Sequence, residues 1–174
     1  MDTLDKNICI NCGLCCDGTL FKFAKIKEDE MIDPIVAANI SYSDDGKKRL
    51  RQRCCFLKGK ICSIYDKRPL VCAGFKCKQL ESFVSNNISY DEAMKTINET
   101  IVLKENIERN LLIEFPEITA DSLYEKMEIF ENYYLALEEP LGFRKKYSRL
   151  ILDITNLRLI TKKYFYSKKP DHML

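Results

Sequence analysis

The sequence predicts a mostly α protein in which an irregular cysteine-rich module packs on a C-terminal three-helix bundle or cap. All nine cysteines lie between Cys9 and Cys77, among breakers that suit loops and turns. From Ser89 onward, apolar residues recur at helical spacing. At 174 residues the chain has the length of a single domain, so we expect residues 1–85 and 86–168 to form one continuous structural unit.

The first half offers few regular elements. Residues 19–26 contain a short apolar run with imperfect alternation, which indicates a strand. Residues 27–40 suggest one or two short helical turns interrupted at Pro34, because proline disfavours helix at the residue before it. The stretches that we expect to be loops are residues 1–16, 41–53 and 54–77.

Three amphipathic helices are predicted in the second half. The first begins at Ser89, which stands three residues before Glu92 as in a capping box, and runs to about residue 113. The second covers about 120–139 and ends at a proline and a glycine, and the third covers about 143–166. Their short connections predict an antiparallel arrangement.

Composition and sequence termini bear on the class of protein. The first residues show no basic region leading into an apolar stretch, and no run approaches the length of a spanning helix, so we expect a cytoplasmic protein without a membrane segment. The formal net charge of +2 gives no reason to expect nucleic-acid binding. Disulfides are rare in a reducing cytosol, so the dense cysteines indicate a metal site or reactive thiols.

The strongest local pattern is the run CINCGLCC, residues 9–16. Two residues between cysteines let the backbone wrap a metal, and Gly13 permits the tight conformation after the second cysteine. A single C-x2-C-G would suit a zinc knuckle. With Cys15 at a further interval of two, the run is similar to the one that binds a [4Fe-4S] cluster in bacterial-type ferredoxins. It lacks their closing Cys-Pro, so a fourth ligand must come from elsewhere in the chain.

A second cysteine block, CCFLKGKICSIYDKRPLVCAGFKC, occupies residues 54–77. Together the two blocks resemble the YkgJ-type cysteine-cluster family, which is described as a zinc- or iron-chelating CxxCxxCC domain. The resemblance spans roughly residues 9–77 and joins the C-x2-C-G-x-C-C opening to C-x-I-Y-x-x-R-P-x-x-C-x-x-F-x-C.

The family pattern has eight cysteines, one of which falls on either Cys54 or Cys55. Cys55 better suits the C-F-L form of the family pattern, which makes Cys54 the extra thiol. The resemblance therefore implies the ligand set Cys9, Cys12, Cys15, Cys16, Cys55, Cys62, Cys72 and Cys77.

Eight thiolates could complete two four-coordinate sites, either zinc or clusters, or one cluster beside buried thiols. Four-cysteine zinc sites usually combine two short-spaced pairs, which the second block does not offer, so the pattern favours an iron-sulfur centre, in particular 4Fe-4S. The function expected is electron transfer or redox-linked chemistry with an unknown protein or redox partner. The alternatives are a zinc-stabilised interaction module without catalysis and an iron-sulfur-dependent modifying enzyme.

Several other side chains bear on the expected site. Arg68 lies between ligand positions and could donate to thiolates, with a surface salt bridge as the alternative. Tyr65 could exclude water from the centre. For Asp17 and Asp66 we expect turn or solvated roles rather than ligation. His172 lies in a tail where fraying is expected, which argues against a histidine-based catalytic triad.

Overall fold

A computed structural model describes residues 3–138 and 140–166, with side chains from residue 8 onward. Its α-helices contain far more residues than its strands, which are two to four residues long. This confirms the mostly α class. No helix in these two ranges is long and apolar enough to cross a membrane. His172 and the last two residues of the predicted second half lie outside the described residues.

The first helix, α1, runs over Thr3–Cys12, so the prediction of a loop across residues 1–16 is wrong for most of that stretch. Cys9 and Cys12 fall in the last turn, three residues apart, and therefore share one face of the helix. Gly13 follows with a left-handed φ of 71° and donates its N–H to the carbonyl oxygen of Cys9 at 3.2 Å. The last turn of α1 therefore carries two of the cysteines, and the loop that follows it carries the next two.

A three-stranded antiparallel sheet follows, in the order β1-β3-β2. Its strands are β1 (Phe23–Lys25), β2 (Ser41–Tyr42) and β3 (Lys48–Arg51). The strand predicted over 19–26 is therefore confirmed only in part. Residues 41–53, predicted as a polar loop or turn, contain the β2–β3 hairpin and its turn. Ala24 pairs with Leu50 in the register, and both are buried.

A short helix, α2, occupies Pro34–Ala37. The Asp33 side chain accepts from the backbone N–H of Ile35 and so caps the helix. Pro34 stands in the first turn, where its missing N–H costs no hydrogen bond. The prediction that Pro34 interrupts a helix is therefore wrong, because it starts one.

The second cysteine block folds into four short elements rather than a continuous loop. They are a hairpin of β4 (Leu57–Lys58) and β5 (Ile61–Cys62), a 3-10 turn at Tyr65–Lys67 and the helix α3 (Leu70–Gly74). The helix α4 (Lys78–Val84) begins directly after Cys77 and was not predicted.

The second half is helical as predicted, with different bounds. Its helices are α5 (Tyr90–Glu114), α6 (Leu123–Leu135), α7 (Pro140–Lys146) and α8 (Ser148–Tyr164). The capping box of Ser89 and Glu92 is confirmed. Pro140 begins α7 instead of closing the preceding helix, and the predicted third helix is divided between α7 and α8.

The end of α8 and the first half of α5 pack against the cysteine module. One buried cluster contains Ile8 and Leu20 of the module together with Ile97 of α5 and Phe165, which directly follows α8. The Tyr166 hydroxyl donates to the carbonyl oxygen of Leu20 at 2.6 Å. The helical half therefore covers one side of the module.

Candidate metal centre

The two cysteine blocks meet at the backbone. The N–H of Cys54 donates to the carbonyl oxygen of Cys16 at 2.8 Å, and the N–H of Gln52 donates to that of Lys22 at 3.0 Å. Both blocks line one cavity of about 100 Å³. Cysteines of both blocks therefore lie around the same cavity. The cysteines that line the cavity are Cys9, Cys12, Cys15, Cys16, Cys62, Cys72 and Cys77.

Apolar side chains form much of the cavity wall. Phe21 and Phe75 meet edge to face with ring centroids 5.1 Å apart, and Ile8 and Leu80 are buried beside them. Such a wall limits the access of water to the thiols. Polar groups complete the lining, among them Gln52, Lys60, Tyr65 and Arg68.

Four cysteines pack with the buried cluster that the module shares with α5 and α8. They are Cys9, Cys12, Cys15 and Cys77. Burial raises the pKa of Cys12, and the nearby Cys77 and Cys9 add to that increase. Burial likewise raises the pKa of Cys15, again with contributions from Cys77, Cys12 and Cys9. We call these four residues the first thiol group.

Four other cysteines pack with a separate buried cluster built on the three-stranded sheet. They are Cys16, Cys54, Cys62 and Cys72. Burial raises the pKa of Cys16, and Cys54, Cys72 and Cys62 raise it further. Burial raises the pKa of Cys72 to about 12, with Cys54 and Cys62 as neighbours. We call these four residues the second thiol group.

Burial also bears on the protonation of these thiols. With the pKa of Cys54 and of Cys77 each raised by burial to about 11, these thiols keep their protons at neutral pH. All nine cysteines are thiols rather than disulfides. Because a metal binds the thiolate, loading the site must release protons and replace them with a bound cation.

Comparison with known proteins bears directly on these thiols. A family model named CxxCxxCC, with the description "Putative zinc- or iron-chelating domain", matches residues 8–101, more than half of the chain. The chain belongs to the CxxCxxCC family. It matches no curated protein and no solved structure. Family membership supports metal binding by the cysteine module, with zinc or iron as the metal.

The side chains of this CxxCxxCC domain fit a soft metal or an iron-sulfur cluster by their chemistry, since thiolates are the preferred ligands of both. Their placement is not that of a closed site. Within the described ranges, no three His, Cys, Asp or Glu side chains stand at the spacing of ligands around one ion.

The adjacent Cys54 and Cys55 have opposite environments in the CxxCxxCC domain. Cys54 is 8% exposed and packs with the second thiol group, whereas Cys55 is exposed, and neither of them lines the cavity. The choice of Cys55 as a ligand from the sequence stays a prediction. The difference in burial follows a period of two from residue 50 to 56, in which Leu50, Cys54 and Phe56 are buried and the two arginines between them are exposed.

Arg68 and Tyr65 contact each other beside the thiols. The Arg68 Nε donates to the carbonyl oxygen of Tyr65 at 2.7 Å, and its guanidinium stands 3.5 Å above the centre of the Tyr65 ring. Both side chains line the cavity. The charge of Arg68 opposes the rise in the pKa of Cys72 that burial causes. The arginine is therefore close enough to favour a thiolate at Cys72.

Asp17 has a partner that the sequence did not reveal. Its Oδ2 lies 3.2 Å from the Nζ of Lys104 on α5, and Lys104 also pairs with Glu108 at 3.2 Å. The Asp17 Oδ1 accepts from the N–H of Thr19 at 2.9 Å, which confirms the expected turn role. The side chains of Asp17 and Lys104 are only 13% and 14% exposed. Asp66 is exposed, as expected.

Proposed function

We propose that this chain binds an iron-sulfur centre of the 4Fe-4S type in its cysteine module and uses it in electron transfer or redox-linked chemistry. The observation that carries the proposal is the first thiol group. Cys9, Cys12 and Cys15 come from one run at intervals of two, and Cys77 joins them from far along the chain. Three ligands from a short run and one distant ligand are typical of protein-bound iron-sulfur clusters.

The surroundings of the thiols suit such a centre. An iron-sulfur cluster supplies one-electron chemistry at a potential that its environment sets. Phe21 and Phe75 shield the cavity from water, and Lys60 and Arg68 bring positive charge to its lining. Cations beside a cluster offset the negative charge of its thiolates and favour the reduced state. The partner that we propose is a redox protein, in the cytoplasm, where thiols stay reduced.

The second candidate is a zinc-stabilised structural or interaction module without catalysis. The observation in its favour is that the thiols fall into two groups of four, the number of ligands in a tetrahedral structural zinc site. Zinc would then supply folding energy to a module of short elements. The third candidate, an iron-sulfur-dependent modifying enzyme, has no particular observation in its favour.

The test is the spectrum of the full chain purified without oxygen. An iron-sulfur centre gives broad visible absorption that bleaches on chemical reduction and a paramagnetic resonance signal in one of its two oxidation states. Zinc thiolates are colourless and respond to neither treatment. A colourless protein that carries stoichiometric zinc would overturn the iron-sulfur proposal. The Cys55→Ser chain is the matched control, because Cys55 is exposed and should leave the spectrum unchanged.

A further inference from the structure

We propose that eight of the nine cysteines form two separate four-thiolate metal sites, and that each sequence block supplies three ligands to one site and one ligand to the other. The inference rests on the proposed function only in that the module binds metal, and it holds for either zinc or iron. The first site consists of Cys9, Cys12, Cys15 and Cys77. The second site consists of Cys16, Cys54, Cys62 and Cys72.

Packing divides the cysteines in this way. Cys12 is buried in the cluster that contains Ile8 and Leu14, and the other three members of the first thiol group pack against that cluster. Cys54 is buried in the cluster that contains Phe56 and Ile64, and the other three members of the second group pack against it. No cysteine of the described residues belongs to both clusters.

Two backbone features place one cysteine of each block beside the other block. The carbonyl oxygen of Cys16 accepts from the N–H of Cys54, which holds Cys16 beside the second block although it ends the first. Cys77 ends the second block but stands at the N-terminus of α4, and α4 packs against α1, the helix that carries Cys9 and Cys12. Each block therefore supplies three ligands to one site and one to the other.

This division of the ligands between the two blocks has a physical consequence. Neither block can complete a four-thiolate site by itself, so both sites require the two blocks to be folded together. Cys15 and Cys16 are adjacent in the chain but belong to different sites. Cys55 is left as an exposed thiol outside both sites.

The test is a titration of the full, metal-free, reduced chain with Co²⁺, whose tetrathiolate complexes absorb in the visible range, followed by competition with Zn²⁺. We expect about two ions per chain. Cys77→Ser and Cys16→Ser should each bind about one ion, and their combination about none. Cys77→Ser combined with Cys9→Ser should bind no less than Cys77→Ser alone, because both ligands belong to one site. Cys55→Ser should bind as the unchanged chain does.

A second measurement needs no variant and so does not depend on the folding of substituted chains. The unchanged chain, loaded with Zn²⁺, is treated with an alkylating reagent, and the modified cysteines are located by mass spectrometry. We expect rapid modification of Cys55 alone and protection of the other eight. Rapid modification of Cys54, or protection of Cys55, would overturn the ligand set.

The outcomes separate the two proposals. If the chain binds about two zinc ions and assembles no cluster, the iron-sulfur function fails and the two-site inference stands. If the chain holds one cluster, with about four irons, that every single ligand variant abolishes, the function stands and the inference fails. The inference also fails if Cys77→Ser and Cys16→Ser together lose no more metal than either alone.

Discussion

The backbone N–H of Cys54 lies 2.8 Å from the carbonyl oxygen of Cys16, although residues 17–53 separate the two in the chain. This bond holds the first residue of the second cysteine block against the last cysteine of the first. Because it is a main-chain contact, it keeps Cys16 beside Cys54 whichever rotamers the side chains adopt.

The first prediction concerns the adjacent cysteines of the second block. Cys54→Ser should lose about half of the bound metal, because the buried Cys54 packs with three other thiols. Cys55→Ser should keep all of it, because Cys55 is exposed. Metal per chain, measured by elemental analysis after oxygen-free purification, checks the pair. The reverse result would restore the assignment made from the sequence.

The second prediction concerns the ion pair between the cysteine loop and α5. Lys104→Met should destabilise the protein by about 2 kcal/mol, because it leaves the carboxylate of Asp17 mostly buried without its cation. Chemical denaturation of the metal-loaded protein measures the change. The matched control is Lys95→Met, an exposed lysine on the same helix, which should cost less than about 0.5 kcal/mol. Equal effects of the two substitutions would contradict the assigned role.

The third prediction concerns metal removal. Chelation should open the cysteine module while the far end of the helical half stays folded, because Phe130, Leu150 and Leu157 belong to a buried cluster that contains no cysteine. Limited proteolysis should then cut first within residues 9–77. Circular dichroism should show partial loss of helix. Cleavage that starts between α6 and α8, or no gain in sensitivity at all, would count against the prediction.

The fourth prediction concerns the arginine in the cavity lining. Arg68→Gln should lower the midpoint reduction potential of the centre, because it removes a positive charge from the cavity that the first thiol group also lines and so makes an added electron less favourable. A dye-mediated redox titration measures the potential. Lys58→Gln is the control, since Lys58 is exposed on β4 and does not line the cavity. An unchanged or higher potential in Arg68→Gln would show that this charge does not act on the centre.

Local signals in the sequence predicted local structure well. The capping box at Ser89 is a contact between residues three apart, so the start of α5 could be read directly. The β2–β3 hairpin could not, because its strands have two and four residues and are held by pairing with β1, as between Ala24 and Leu50. Helix α1 was missed because its cysteines were interpreted as loop residues.

The cysteine-rich segments could be recognised in the sequence, but their arrangement in space could not. Spacing identified the run from Cys9 to Cys16, and the resemblance to the family pattern identified the block up to Cys77. The partnership of Cys77 with Cys9 depends on the packing of α4 against α1, and α4 was not predicted. Lys104 carries no motif, and its role follows only from the distance to Asp17 in the folded chain.

The central claim, a cysteine-held iron-sulfur centre, is tested most directly by measuring iron, acid-labile sulfide and zinc per chain in protein purified without oxygen. The account predicts iron and sulfide in about equal amounts, little zinc, and loss of both in a chain that carries Cys12→Ser and Cys62→Ser, one change in each thiol group. Stoichiometric zinc without sulfide, or iron that persists in the doubly substituted chain, would contradict it.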